Sequence, residues 1–186
     1  MKIVTSVFFF FKKLHYSFYS NNNRKKGKYK AHQPVVIRGK GVVSFGKQVA
    51  FGVINSPYYY NTYAYIEART ENSIIEFGEN VNINNSFSAV SERKIVIKNN
   101  VLVGFNCAIT DSNFHDLNPK NRKITDPNPA EVRIEDNVFI GNNVTILKGV
   151  TIGKNTVVAA GSIVTKSFPE NVVIGGAPAK IISHLD

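Results

Sequence analysis

The chain has 186 residues, 43% of them hydrophobic, which is enough for one domain with a real core and too apolar for a disordered polymer. A single cysteine, Cys107, excludes an intrachain disulfide or a cysteine metal cluster and suits a reducing compartment. The formal charge of +10 is lopsided, because 11 Lys and Arg and no acidic residue precede Glu67; such a patch selects polyanionic partners such as a membrane surface, a phosphorylated substrate or nucleic acid.

The apolar run IVTSVFFFF, residues 3–11, falls short of the ~20 residues that cross a bilayer. Lys12 and Lys13 follow at once, with no small-residue cleavage site, which argues against a signal-peptide core. On a helix, Ile3, Val7, Phe11, Leu14 and Phe18 share one face, with Phe10 beside it. The cationic tract NNNRKKGKYK comes next. Two readings stay open for residues 1–30: an interfacial helix on an anionic membrane, or a helix packed on its own domain with its lysines solvated.

From Phe45 onward a step of six appears. Phe45-Gly46 and Phe51-Gly52 make one pair; Phe77-Gly78 and Ile83 make another; Ile97, Val103 and Ile109 follow. The clearest run is Ile134, Ile140, Ile146, Ile152, Val158 and Val164, with Val138, Val144, Val150, Thr156 and Ser162 four residues after the first five rungs. Neither a helix (3.6) nor a half-buried strand (2) repeats this way. Turn formers such as EDN, GNN and GKN fill the gaps and tolerate positive φ. Each hexad therefore reads as a short strand plus a turn, three hexads as one coil, and the stack as a solenoid. Cys107 falls on a four-after position and reads as core.

The spacing breaks three times, around SPYYYNTY, around VSERK and within TDSNFHDLNPKNRKITDPNPAEV. The last piece spans residues 110–131, holds three prolines and a histidine, and carries no rung. An excursion of that length inside a compact domain is functional or disordered. The expected organisation is a basic segment at 1–35, a hexad solenoid at 36–168 with its loop at 110–131, and a tail at 169–186.

The repeated hexads, the histidine-bearing loop and the ending PENVVIGGAPAKII resemble the hexapeptide-repeat acyltransferases, in particular the maltose/galactoside and polysaccharide O-acetyltransferases. The resemblance runs from about residue 36 to 182. It implies an all-β, left-handed parallel β-helix, a homotrimer, and acetyl-CoA lying between neighbouring prisms as co-substrate, with no metal. It implies O-acetylation of a sugar in bacterial surface polysaccharide, carried out in the cytoplasm or at the inner face of the membrane.

Of four histidines, only His115 sits in the excursion. An alcohol is a poor nucleophile at neutral pH, and an imidazole of pKa ~6.5 is suited to take its proton; the resemblance gives His115 this role. Asp111, Asp116 and Glu92 are candidates to orient it. Asn84, Glu92 and Asp111 are expected at the acceptor. Gly141, Asn142, Ala159 and Ala160 match the turns along which the cofactor's arm lies, where an amide could stabilise an oxyanion. Thr165 and Lys166 match its next contact, and Pro178 and Lys180 its adenine and phosphate end. Phe139 stands where relatives often carry Trp.

Two other functions remain open. A nucleotide-sugar N-acetyltransferase would use the same histidine on an amine. A basic solenoid scaffold, or a binder of single strands through its Tyr and Phe, needs no histidine loop, and no nucleic-acid motif is present. The serine acetyltransferases' helical N-terminal domain has no room in about 35 residues. The carbonic anhydrases of this fold need three histidine ligands, and three of the four histidines lie outside the coils.

Overall fold

The structure is a computed structural model that describes residues 2–186, with side chains from Val7 onward. The chain winds into a three-sided, left-handed parallel β-helix. Sheet A stacks Lys25–Lys26, Val42–Phe45, Ile74–Phe77, Lys94–Ile97, Val132–Ile134 and Thr151–Ile152. Sheet B stacks Tyr29–Ala31, Val49–Phe51, Asn82–Ile83, Leu102–Val103, Phe139–Ile140, Val157–Val158, Val172–Gly176 and Ala179–His184. Sheet C stacks Val35–Arg38, Ala64–Ala68, Ser88–Ser91, Ala108–Thr110, Thr145–Ile146 and Ile163–Val164.

The step of six is one sheet per hexad. Ile134 pairs in register with Ile152 on sheet A, Ile140 with Val158 on sheet B, and Ile146 with Val164 on sheet C. All six rungs are buried in one continuous core, as are the four-after residues. Cys107 is among them, and burial pushes its thiol up to about 11. The corners demand left-handed backbone, which Asn tolerates better than other side chains. Along the A–B edge Asn80, Asn100, Asn137, Asn155 and Asn171 all have φ of 54–59°. Their amides bond coil to coil, Asn137 to Asn155 at 3.0 Å and Asn155 to Asn171 at 2.7 Å.

The three breaks leave at two of the three corners. SPYYYNTY is an ordered excursion at the B–C edge, between Phe51 and Ala64. The buried Asn85 amide holds it through the carbonyls of Val53 and Pro57, at 3.0 and 2.9 Å. The VSERK surplus is a tight bend, Glu92-Arg93, at the C–A edge. The histidine-bearing loop also leaves at the C–A edge, one coil further on.

The sheets start at Lys25, earlier than the expected boundary at 36. The first coil has no rung to announce it. It pairs its backbone with Val43, Ser44 and Val49–Phe51, and closes the prism end with the Tyr29 ring, 4.7 Å from Phe45 and 5.5 Å from Phe51. At the other end, residues 169–186 are less a tail than the end of sheet B. Val172–Gly176 runs parallel to Val157–Val158, and Ala179–His184 folds back antiparallel on it.

Lys2–Ser17 is helical, but it docks through a different face from the apolar stripe. Phe9 is buried against Tyr59 at 4.3 Å, Lys12 donates to the Tyr60 carbonyl at 2.6 Å, and Tyr16 lies 4.8 Å from Tyr63. Val7, Phe11, Leu14 and Phe18 stay 50%, 61%, 47% and 80% exposed; the side chain of Ile3 is outside those described. Both readings of this segment therefore retain a face: one packs on the domain and the other is uncovered in the single chain.

Candidate active site

His115 is exposed on the C–A excursion, and the loop around it is pinned at several points. Its Nδ1 lies 2.8 Å from the carbonyl oxygen of Arg122. A carbonyl can only accept, so the neutral ring carries its proton on Nδ1 and leaves the Nε2 lone pair free. That is the tautomer a general base needs. The orienting group is thus a backbone carbonyl and neither Asp111 nor Asp116. Asp116 instead accepts from the Asn118 N–H at 2.8 Å, within a local turn.

Asp111 is fully buried and already satisfied. Its carboxylate accepts from Ser91 Oγ at 2.6 Å and from the N–H groups of Glu92 and Arg93 at 2.8 and 2.9 Å. This corrects the expectation that it meets the acceptor: desolvating an acceptor-facing carboxylate so completely would waste three bonds, and its work is to fix the bend that presents Glu92. Glu92 in turn accepts from Ser112 Oγ at 2.5 Å and Thr125 Oγ1 at 2.6 Å, and lies 3.9 Å from the Arg69 guanidinium. It ties the beginning of the loop to its end. Asp126 forms a second tie, accepting from the Asn113 and Asn128 N–H groups at 2.8 and 2.9 Å and from Lys148. Burial alone would raise the Asp126 carboxyl; its bonds to the Asn113 N–H and to Lys148 outweigh that and hold it below the usual carboxylate range.

The B–C edge is built differently. Gly104, Gly141 and Ala160 stack there in successive coils. A Cβ on Gly141 would lie 2.7 Å from the Ala160 nitrogen, so close coil stacking alone requires glycine. The Asn142 side chain serves the coil below, accepting from the Phe105 N–H at 3.1 Å. Ala159 donates its N–H to Ile174 of the terminal strand pair at 2.8 Å, and the N–H of Ala160 has no acceptor among the described residues. Asn84 lies on this same edge, two coils before Gly141. Pro178 lies in the turn that joins the two terminal strands of sheet B and Lys180 in the second of them; Thr165 and Lys166 are exposed at the C–A edge. On sheet B itself Phe139 is exposed and in register with the exposed Leu102.

The candidates thus divide between two edges of the prism, with the width of sheet C between them. His115, Glu92, Thr165 and Lys166 are on the C–A edge; Asn84, Gly141, Asn142, Ala159 and Ala160 are on the B–C edge. Sequence reasoning missed Arg122, Thr125, Asp126 and Lys148. A carbonyl carries no side-chain signal, Thr125 and Asp126 sit in the stretch without rungs, and Lys148 is an outward residue of a hexad, where a solvated lysine is ordinary.

A family model described as bacterial transferase hexapeptide (six repeats) matches residues 131–166. WbbJ of Escherichia coli K12, provisionally named a lipopolysaccharide biosynthesis O-acetyl transferase, is 33% identical over 161 residues, covering 80% of this chain and 75% of that protein. A galactoside O-acetyltransferase of Lactococcus lactis is 39% identical over 107 residues, 58% of this chain. The chain spans 51–65% of the length of the first curated relatives it matches. A hexapeptide-repeat acetyltransferase of Vibrio cholerae, solved with acetyl-coenzyme A, superposes with a TM-score of 0.52 at 26% identity, over 85% of this chain and 71% of that one.

Proposed function

This chain belongs to the hexapeptide-repeat acyltransferases, and from that premise we propose that it moves an acetyl group from acetyl-CoA to a hydroxyl of a sugar in a surface polysaccharide or its precursor. The observation that carries the reading is the His115 ring, held through Nδ1 by the Arg122 carbonyl with Nε2 open on the C–A edge. Nε2 takes the proton of the acceptor hydroxyl as its oxygen attacks the thioester carbon. The free N–H of Ala160 stabilises the oxyanion of the tetrahedral intermediate. As the intermediate collapses, the C–S bond breaks and the imidazolium returns its proton to the leaving thiolate. Direct attack requires no acyl-enzyme, and the buried Cys107 takes no part.

The working unit is a homotrimer. In one prism the base and the amide-lined edge face away from each other across sheet C, and a second copy supplies the missing edge. The arm of acetyl-CoA lies along Gly141, Asn142, Ala159 and Ala160, continuing past Thr165 and Lys166, with Pro178 and Lys180 at its phosphate end. Glu92 and Asn84 border the acceptor from the two edges, Glu92 by holding the loop. Residues 1–30 place the enzyme on an anionic membrane surface through the uncovered Phe11–Leu14–Phe18 stripe and its flanking lysines.

Free thiol released from acetyl-CoA in the presence of a sugar panel measures the activity. His115→Ala should lower it ~100-fold or more with the oligomer intact. Wild-type turnover in that variant would remove His115 from the mechanism. Deleting the first 20 residues should abolish sedimentation with anionic liposomes; unchanged sedimentation would make the segment purely structural.

A further inference from the structure

A cavity of about 480 Å³ opens at the C–A edge, in the coils N-terminal to the His115 loop, and none of the roles above uses it. Arg24, Arg38, Lys40 and Arg69 line it, with Glu67 and Glu71. The cations arrive from three separate segments, so sequence proximity does not explain their convergence. Arg24 is held by neutral groups, donating to the backbone carbonyls of Glu71 at 2.7 Å and Lys40 at 3.3 Å. The side chains of Arg38 and Lys40 make no ion pair or hydrogen bond among the described residues. Glu67 is taken up by Arg69 at 3.1 Å and by the Tyr65 hydroxyl at 3.0 Å. Three cations are therefore left without a carboxylate partner around one cavity, although Glu71 contributes an exposed carboxylate to the rim.

Two features tie this cavity to acceptor chemistry. Its upper wall is Arg69, whose guanidinium sits 4.5 Å from the ring of Phe114, the residue before His115. Its side wall is Arg38, which also lines a neighbouring groove of about 320 Å³ walled by Tyr16, Tyr19, Tyr63 and Tyr65. Aromatic faces receive the apolar C–H faces of sugar rings, and guanidinium forks match carboxylate or phosphate oxygens. The cofactor candidates on the B–C edge lie in the coils C-terminal to His115, and the cavity lies on the N-terminal side. The donor and this cavity therefore approach the base from opposite ends.

Building on the reading above, we propose that the cavity is an acceptor subsite for an oxyanion and that the tyrosine groove holds the adjoining sugar rings, so that the acceptor is an anionic saccharide. Its oxyanion is a sugar carboxylate or a sugar phosphate, and Arg38 with Lys40 supplies the charge. The test is binding by calorimetry to the full-length His115→Ala protein. The probes are a glucuronate-terminated disaccharide, its methyl ester and glucose 1-phosphate. At least one anion should bind, and the stronger of the two identifies the source of the charge. The preferred anion should bind at least ~10-fold more tightly than the neutral ester, and Arg38→Gln should weaken that anion by about tenfold, the loss of one charge-assisted bond, without changing the ester. Binding of neither anion more tightly than the ester, or an unchanged Arg38→Gln protein, would overturn the proposal. Because the base is absent from the protein titrated, a failure here leaves acetyl transfer to neutral sugars standing. Loss of all transfer in the unmutated enzyme would not touch the binding result.

Discussion

The two edges that flank sheet C solve different problems. The B–C edge at Gly104, Gly141 and Ala160 is made by repetition: each turn copies the one below, close stacking excludes side chains, and what faces outward is backbone. The C–A edge at Glu92, His115 and Asp126 is made once, from buried carboxylates that gather hydroxyls and N–H groups around a long excursion. A repeating edge offers a uniform rail for an extended chain. A singular edge can hold one ring in one tautomer. Chemistry that joins a long donor to one reacting hydroxyl needs both.

The sharpest way to break this comparison is to separate the edges genetically. Ala160→Asp should disable the B–C edge and His115→Ala the C–A edge, each alone reducing thiol release to near background. Co-assembled from equal parts, the two should recover about a quarter of wild-type turnover, because that fraction of boundaries pairs two intact edges. No recovery would place both edges of a site in the same chain. Next in size, Glu92→Ala leaves Ser112 and Thr125 without their acceptor and should lower kcat about tenfold or more, since misplacing a catalytic group by an ångström is that costly. The Michaelis constant for acetyl-CoA should not change, because the B–C edge is untouched.

A smaller effect follows from acid. The Asp126 carboxyl titrates below its unfolded value of ~3.9, so its contribution is complete above that pH and is lost as pH falls through the folded value. Amide exchange across residues 111–131 should therefore rise in that acid range before exchange in the rungs does, and Asp126→Asn should show the raised exchange already at neutral pH. The smallest effect is at the helix. Phe9→Ala should loosen the Tyr59–Tyr60 part of the B–C excursion and destabilise the chain by ~2 kcal/mol, while Phe11→Ala leaves melting unchanged.

The difference between the edges also explains what could be read from the sequence. Ile134 to Val164 announce themselves because a solenoid must bury one rung per sheet, Gly141 because close coil stacking leaves no room for a Cβ, and Asn143 because a left-handed corner admits few residues. His115 stood out for being a base within a break. The group that aims it is a carbonyl, which any residue at 122 would supply, so no pattern could mark it. Asp111 resembled a site residue because buried and acceptor-facing carboxylates look alike until burial is known. The docking face of the helix was illegible for a related reason: every position from Val7 to Phe11 is apolar, so periodicity could not say which phenylalanine meets the domain. The excess of N-terminal cations was plain, but their convergence on one cavity depends on coil stacking that brings residues 24, 38 and 69 together.

The antiparallel strand pair at Val172–His184 has a consequence for cellular behaviour. A prism of parallel coils presents at each end an unpaired rim on which another prism could grow, and end-to-end growth of that kind produces fibrils. Ala179–His184 reverses direction on the last rim and, with five of its six residues exposed, presents no matching template to a newcomer. Lys25 and Lys26 put like charges on the opposite rim. Both features oppose end-to-end growth.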